Sequence, residues 1–88
     1  MTVIIINEEN HGFLGVAKDY KSAIKWLVKS DWMTQCSEVY NYDNQEFCWF
    51  KDWFGDRWLE KILEMTLDQF NKLGTSFQLR EEEVYSAS

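Results

Sequence analysis

Proline is missing from this chain altogether, and glycine (four), cysteine (two) and histidine (one) are scarce. Each shortage excludes something. Without proline there is no polyproline II linker and no Pro-rich recognition tail. Cys36 and Cys48 are too few for a disulfide scaffold. With His11 they also lack the close C-x-x-C or H-x-x-x-H pairing that makes a zinc site legible, so no metal and no other cofactor is expected. Long apolar runs are missing too. Val3–Ile6 is four residues, against the ~20 that span a bilayer. No basic segment precedes this run and Asn7-Glu8-Glu9 follows it, so it reads as a buried strand, not a signal peptide. A cytoplasmic protein with reduced thiols and no membrane association is expected.

Positive charge is in short supply as well. Nine Lys and Arg face fifteen Asp and Glu, a formal net charge of −6. The imbalance is local: residues 38–68 carry eight acids against Lys51, Arg57 and Lys61, whereas residues 1–37 balance four acids with four lysines. Phosphate binding depends on basic residues, so direct nucleic-acid binding is disfavoured. A basic protein partner is compatible with the acidic middle, although acidity also serves solubility.

What the chain has in quantity is aromatic side chains: five Trp, six Phe and four Tyr. Each one buried removes about 150–250 Å² from water, which suits a small domain that must build a dense core. Hydrophobic content of 45% with 27% charged residues is that of a globular chain. One domain over residues 1–88 is expected, ordered across 2–85, with 86–88 a frayed tail.

Val3–Ile6 and Phe13–Ala17 read as a strand pair joined by a turn over 7–12. Gly15 inside the second strand marks a bulge or the close approach of another backbone. Asp19 is a good N-cap for a helix in which Tyr20, Ala23, Ile24, Leu27 and Val28 share one face. Glu38–Tyr42 and Glu46–Phe50 form a hairpin around Asp43-Asn44. Helical spacing returns at Lys51, breaks at Gly55-Asp56 and resumes over Arg57–Met65. Thr66-Leu67-Asp68-Gln69 is a capping box opening a short helix that ends at Gly74, and Ser76–Tyr85 begins as an alternating strand. The order β-β-α-β-β-α-α-β predicts an α+β fold, a small antiparallel sheet with helices packed mainly on one face.

No catalytic constellation emerges. His11 has no partner at a recognisable spacing and reads as a solvated turn residue. Cys48 alternates with large aromatics and reads as a small core residue, while Cys36 lies in a polar stretch. The residues around Asp43 lack an EF-hand ligand series, and Gly12–Gly15 lacks the Gly-Lys-Ser/Thr ending of a phosphate loop. A non-enzymatic protein is expected.

Two features suit binding. Asp52, Asp56, Glu60, Glu64 and Asp68 recur every four residues and would line one edge of a continuous helix. The bland alternative is an ordinary solvated face, neutralised by Arg57–Glu60 and Lys61–Glu64 pairs. Trp26 stands roughly 130° from the centre of its helix's apolar stripe. It serves either as an interface anchor or as a ring packed under the C-terminal strand or another helix.

The stretch Gly15–Leu27, the Gly-Asp-Arg-Trp turn at 55–58 and the segment Glu81–Tyr85 together resemble small uncharacterised acidic proteins of Gram-positive bacterial phages and mobile elements. The resemblance implies a setting in which such proteins inhibit host machinery, anti-CRISPR and other anti-defence proteins among them. The expected function is therefore a protein-interaction module, monomeric or homodimeric. It would inhibit or modulate a nucleic-acid-handling host or defence enzyme through an acidic face. The alternatives are a phage accessory or regulatory protein that assembles with itself or with another phage protein, and a small enzyme or ligand binder.

Overall fold

The computed structural model of the protein describes residues 1–84. Nine elements follow in chain order. β1 (Thr2–Glu8) and β2 (Gly12–Ala17) precede α1 (Tyr20–Lys29), which leads to β3 (Glu38–Asn41) and β4 (Glu46–Trp49). Then come α2 (Phe50–Phe54), α3 (Trp58–Glu64), α4 (Leu67–Asn71) and β5 (Phe77–Glu83). The fold is α+β, as the order of apolar patterns predicts. It adds one helix to that order, because α2 is a separate five-residue turn. The expected end of order at Tyr85 and the frayed tail over 86–88 lie outside the described residues.

All strand pairing is antiparallel. β1 is central between β2 and β5, and β3 pairs with β4 as a separate two-stranded sheet. The central place explains the unbroken β-branched run. Ile4 and Ile6 enter the core on one face, while Val3 and Ile5 on the other are half-buried. The β1–β2 register slips between Ile6 and Asn7, next to Gly15, which is the bulge its glycine suggests. On β5 only Phe77 and Leu79 are buried, and the following glutamates are exposed.

The core unites Ile4, Ile6, Phe77 and Leu79 of the sheet with Ala23, Ile24 and Leu27 of α1, Phe50 and Phe54 of α2, Ile62 of α3 and Phe70 of α4. Burying each large side chain of this set contributes roughly 1.5–3 kcal/mol. Helix ends follow the caps. The Asp19 side chain accepts the Ser22 N–H at 2.7 Å. Thr66 and Gln69 form a reciprocal box, with the Gln69 N–H donating to Thr66 Oγ1 at 3.1 Å and the Thr66 N–H to Gln69 Oε1 at 2.9 Å. α2 ends at Gly55, whose φ of 88° lies where side chains are disfavoured.

Candidate interaction surface

The break at Gly55 decides the fate of the acidic row. Asp52 lies on α2, Asp56 in the following turn, Glu60 and Glu64 on α3, and Asp68 on α4. All five are exposed, but only Glu60 and Glu64 share a helix, so helical periodicity does not align the set. Arg57 donates to the Glu60 carboxylate from Nε at 2.8 Å and also from Nη2. These two residues, with Lys61 and Glu64, line a shallow depression of about 140 Å³. This part of the surface is mixed in charge. Trp26 is 37% exposed. Its ring lies over β2, with Cζ2 and Cη2 within ordinary contact of where a side chain at Gly15 would begin. The glycine is thus the seat for part of the tryptophan ring.

A larger surface comes from the hairpin. Directly opposed residues share a face, so Val39 and Cys48 form one side and Tyr40, Phe47, Glu38 and Trp49 the other. Val39 is buried in the core, which turns the second side outward. Tyr42 continues that side past the end of β3. Its ring meets Tyr40 edge-on at a centroid distance of 4.9 Å, and Phe47 meets Tyr40 at 5.0 Å. Phe47 is 62% exposed and Tyr42 69%. The turn between the strands is held by Asn41, which accepts the Asp43 N–H at 3.0 Å, and by Asn44, which accepts the Glu46 N–H at 3.1 Å.

The hairpin is moored where Gly74 passes it. The Tyr40 N–H donates to the Gly74 carbonyl at 2.8 Å, and a side chain at Gly74 would begin 2.7 Å from Tyr40 Cβ. Gly74 lies beyond α4, which ends at Asn71, so its role is this close approach and not termination of the helix. Beside the seam, a groove of about 480 Å³ is lined by Tyr40, Tyr42, Phe47, Glu9, Asn10 and Glu38, with 74–76 as one wall. A second groove of about 460 Å³ continues past Tyr42 towards Gln78 and Arg80 of β5. The aromatic spacing of 40, 42, 47 and 49 was visible in the sequence. An inward Cys48 already implied outward Phe47 and Trp49.

His11 is not the unpartnered turn residue expected. Its Nδ1–H donates to the carboxylate of Glu8, and its ring meets Trp32 edge-on at a centroid distance of 4.9 Å. Glu8, only 7% exposed, also accepts the Asn10 N–H at 3.0 Å. The bond from His11 holds the Glu8 carboxyl below its ordinary pKa despite the opposing effect of burial. The unit closes the β1–β2 turn. Burial, aided by the nearby Asp52 charge, pushes the Cys48 thiol up and makes it a poor nucleophile. Burial likewise raises Tyr20, whose hydroxyl donates to the Ile62 carbonyl at 2.7 Å. Among the described residues, no three His, Cys, Asp or Glu side chains gather in a group able to hold a metal ion. No helix there is long and apolar enough to cross a membrane. In comparison with known proteins, the chain matches no protein-family model, no curated protein and no solved structure.

Proposed function

We propose that this chain is a non-catalytic protein-interaction module that holds its partner through the outer face of the β3–β4 hairpin. The observation that carries this reading is the exposure of Tyr42, Phe47 and Trp49 on that face, at 69%, 62% and 49%. Side chains of this kind dominate interface energetics once desolvated, and clustered exposure is what a free interface presents. Charge indicates the partner's character. The hairpin contributes Glu38, Asp43 and Glu46 and no basic residue, within the middle third that holds most of the net charge. The partner surface is basic. The groove of a nucleic-acid-handling host or defence enzyme has that character, and inhibition or modulation of such an enzyme fits the resemblance to phage and mobile-element proteins. The module acts in the host cytoplasm and does not bind nucleic acid itself.

A second reading draws on the same exposed rings: self-assembly, or docking on another phage protein. Quantitative capture from a Gram-positive host lysate distinguishes the surfaces. Tyr42, Phe47 and Trp49 changed together to Ser should abolish capture, while Asp56, Glu60 and Glu64 changed together to Lys should weaken it only modestly. The reverse pattern would move the interface to α3. Sedimentation of the wild-type protein reports self-association directly.

A further inference from the structure

The groove beside the hairpin is more specific than an apolar patch, because its ionisable rim carries a single sign. Of the side chains that line it, Glu9 and Glu38 are carboxylates, and no Lys, Arg or His joins them. Neither has an ion pair among the described residues, in contrast to Glu8, Glu60 and Glu82, which are paired with His11, Arg57 and Arg80. Tyr40, Tyr42 and Phe47 also line it, and both Tyr42 and Phe47 stand edge-on to Tyr40. From this juxtaposition we infer that the groove is a subsite for an arginine side chain from an extended basic segment of the partner protein. The inference rests on the interaction-module reading given above and names the group that this surface selects.

The chemistry favours guanidinium over the other candidates. A planar, weakly hydrated cation stacks on aromatic faces and turns its N–H edge to carboxylates. Its three-carbon stem covers ring surface as it enters. A groove of about 480 Å³ is far too open to strip and enclose a compact ammonium. A neutral apolar side chain would leave both carboxylates facing unrelieved apolar surface. Phosphates, whether of nucleic acid or of lipid headgroups, are repelled by the rim. A second copy docking face to face would bring the same acidic rim from both partners together, a like-charge arrangement that disfavours an isologous dimer here.

The test is a titration of the isotope-labelled chain with the capped tripeptide Gly-Arg-Gly, followed by amide chemical shifts, alongside its lysine and citrulline counterparts. Saturable shifts should appear at Glu9, Asn10, Glu38, Tyr40, Phe47 and Thr75. Citrulline, the neutral isostere, should bind about tenfold more weakly. Glu9→Gln with Glu38→Gln should cost about tenfold and Phe47→Ala about fivefold, whereas Glu60→Gln should change nothing. Shifts centred on Glu60, Glu64 and Asp68, no saturable shift, or equal binding of the lysine or citrulline peptide would overturn the subsite. So would line broadening that grows with protein concentration and disappears in Phe47→Ala, since a second copy would then occupy the groove. Partner capture separates this failure from failure of the module itself. If the Glu9/Glu38 double variant captures as wild type does while the Tyr42/Phe47/Trp49 variant does not, the subsite is wrong and the module stands. If neither variant alters capture, the module reading has failed.

Discussion

Gly74 and Glu8 show how much of this protein depends on single positions. At Gly74 the demand is space and not backbone freedom, because Tyr40 Cβ lies 2.7 Å from where a side chain would begin. Gly74→Ala must push the hairpin away from the α4–β5 connection, and overpacking of this kind costs about 1–3 kcal/mol. Urea unfolding should show that loss, together with a weakened Tyr40 amide protection. A variant as stable as wild type would mean that the hairpin can move aside freely. At Glu8 the demand is electrostatic. Its carboxyl is held low chiefly by the bond from His11, so the folded state binds a proton there less readily than the unfolded chain does. The resulting stability is fully present above the ordinary glutamate pKa and is lost as pH falls through the depressed folded value. His11→Ala removes the largest lowering influence while burial and the Asn10 N–H bond remain, so the folded and unfolded affinities of Glu8 for a proton draw together. The variant should therefore be less stable than wild type near pH 7 and lose less stability on acidification, the gap between them narrowing as pH falls. Urea midpoints between about pH 3 and pH 7 would show this, and a gap that stays constant with pH would refute it.

The elements are short, and caps matter in proportion. α4 has five residues, too few to persist without its packing and its box of Thr66 and Gln69. Thr66→Ala leaves the Gln69 N–H without its partner and should destabilise the protein by about 1 kcal/mol, read as a shift in urea midpoint at unchanged slope. A neutral result would mean that Phe70, buried beneath the helix, holds the turn alone. The free edge of β5 is managed by similar local devices. Asn71 Nδ2 donates to the Leu79 carbonyl at 2.7 Å and its Oδ1 accepts the Leu79 N–H at 3.3 Å. The exposed glutamates that follow discourage further strand pairing. On the hairpin, by contrast, Tyr42, Phe47 and Trp49 stand exposed on the outer face, which is what supports the proposed interface.

For the molecule as a whole, the apolar core is the source of cohesion. It joins both sheets and all four helices among the described residues. Both cysteines are free thiols, Cys36 exposed and Cys48 half-buried. A thermal melt should therefore be superimposable with and without chelator, and with and without reductant. A chelator-dependent drop beyond a few degrees would reveal a metal contribution to folding, because metal-binding free energy appears directly as folding free energy.

Local chemistry was legible in the order of residues. Asp19, the Thr66–Gln69 box, the break at Gly55 and the β-branched run of a central strand each act through near neighbours, so their signals lie within a few positions of one another. The α+β class followed from the sum of those signals. What needed the tertiary structure was every pairing across the chain. The break at Gly55 and the box at Thr66 already divided Asp52, Asp56, Glu60, Glu64 and Asp68 among separate segments, but the direction each short helix takes is set by packing and could not be read. Trp26 found its seat on Gly15, eleven residues earlier and in another element. The aromatic groove is the clearest case. Alternation with Cys48 inward turns Phe47 and Trp49 outward, but it does not say what stands beside them. That was decided by core packing, which seats Val39 in one cluster with Phe50, Phe54, Ile62 and Phe70 and brings Glu9 of the β1–β2 turn beside Tyr40, Tyr42 and Phe47.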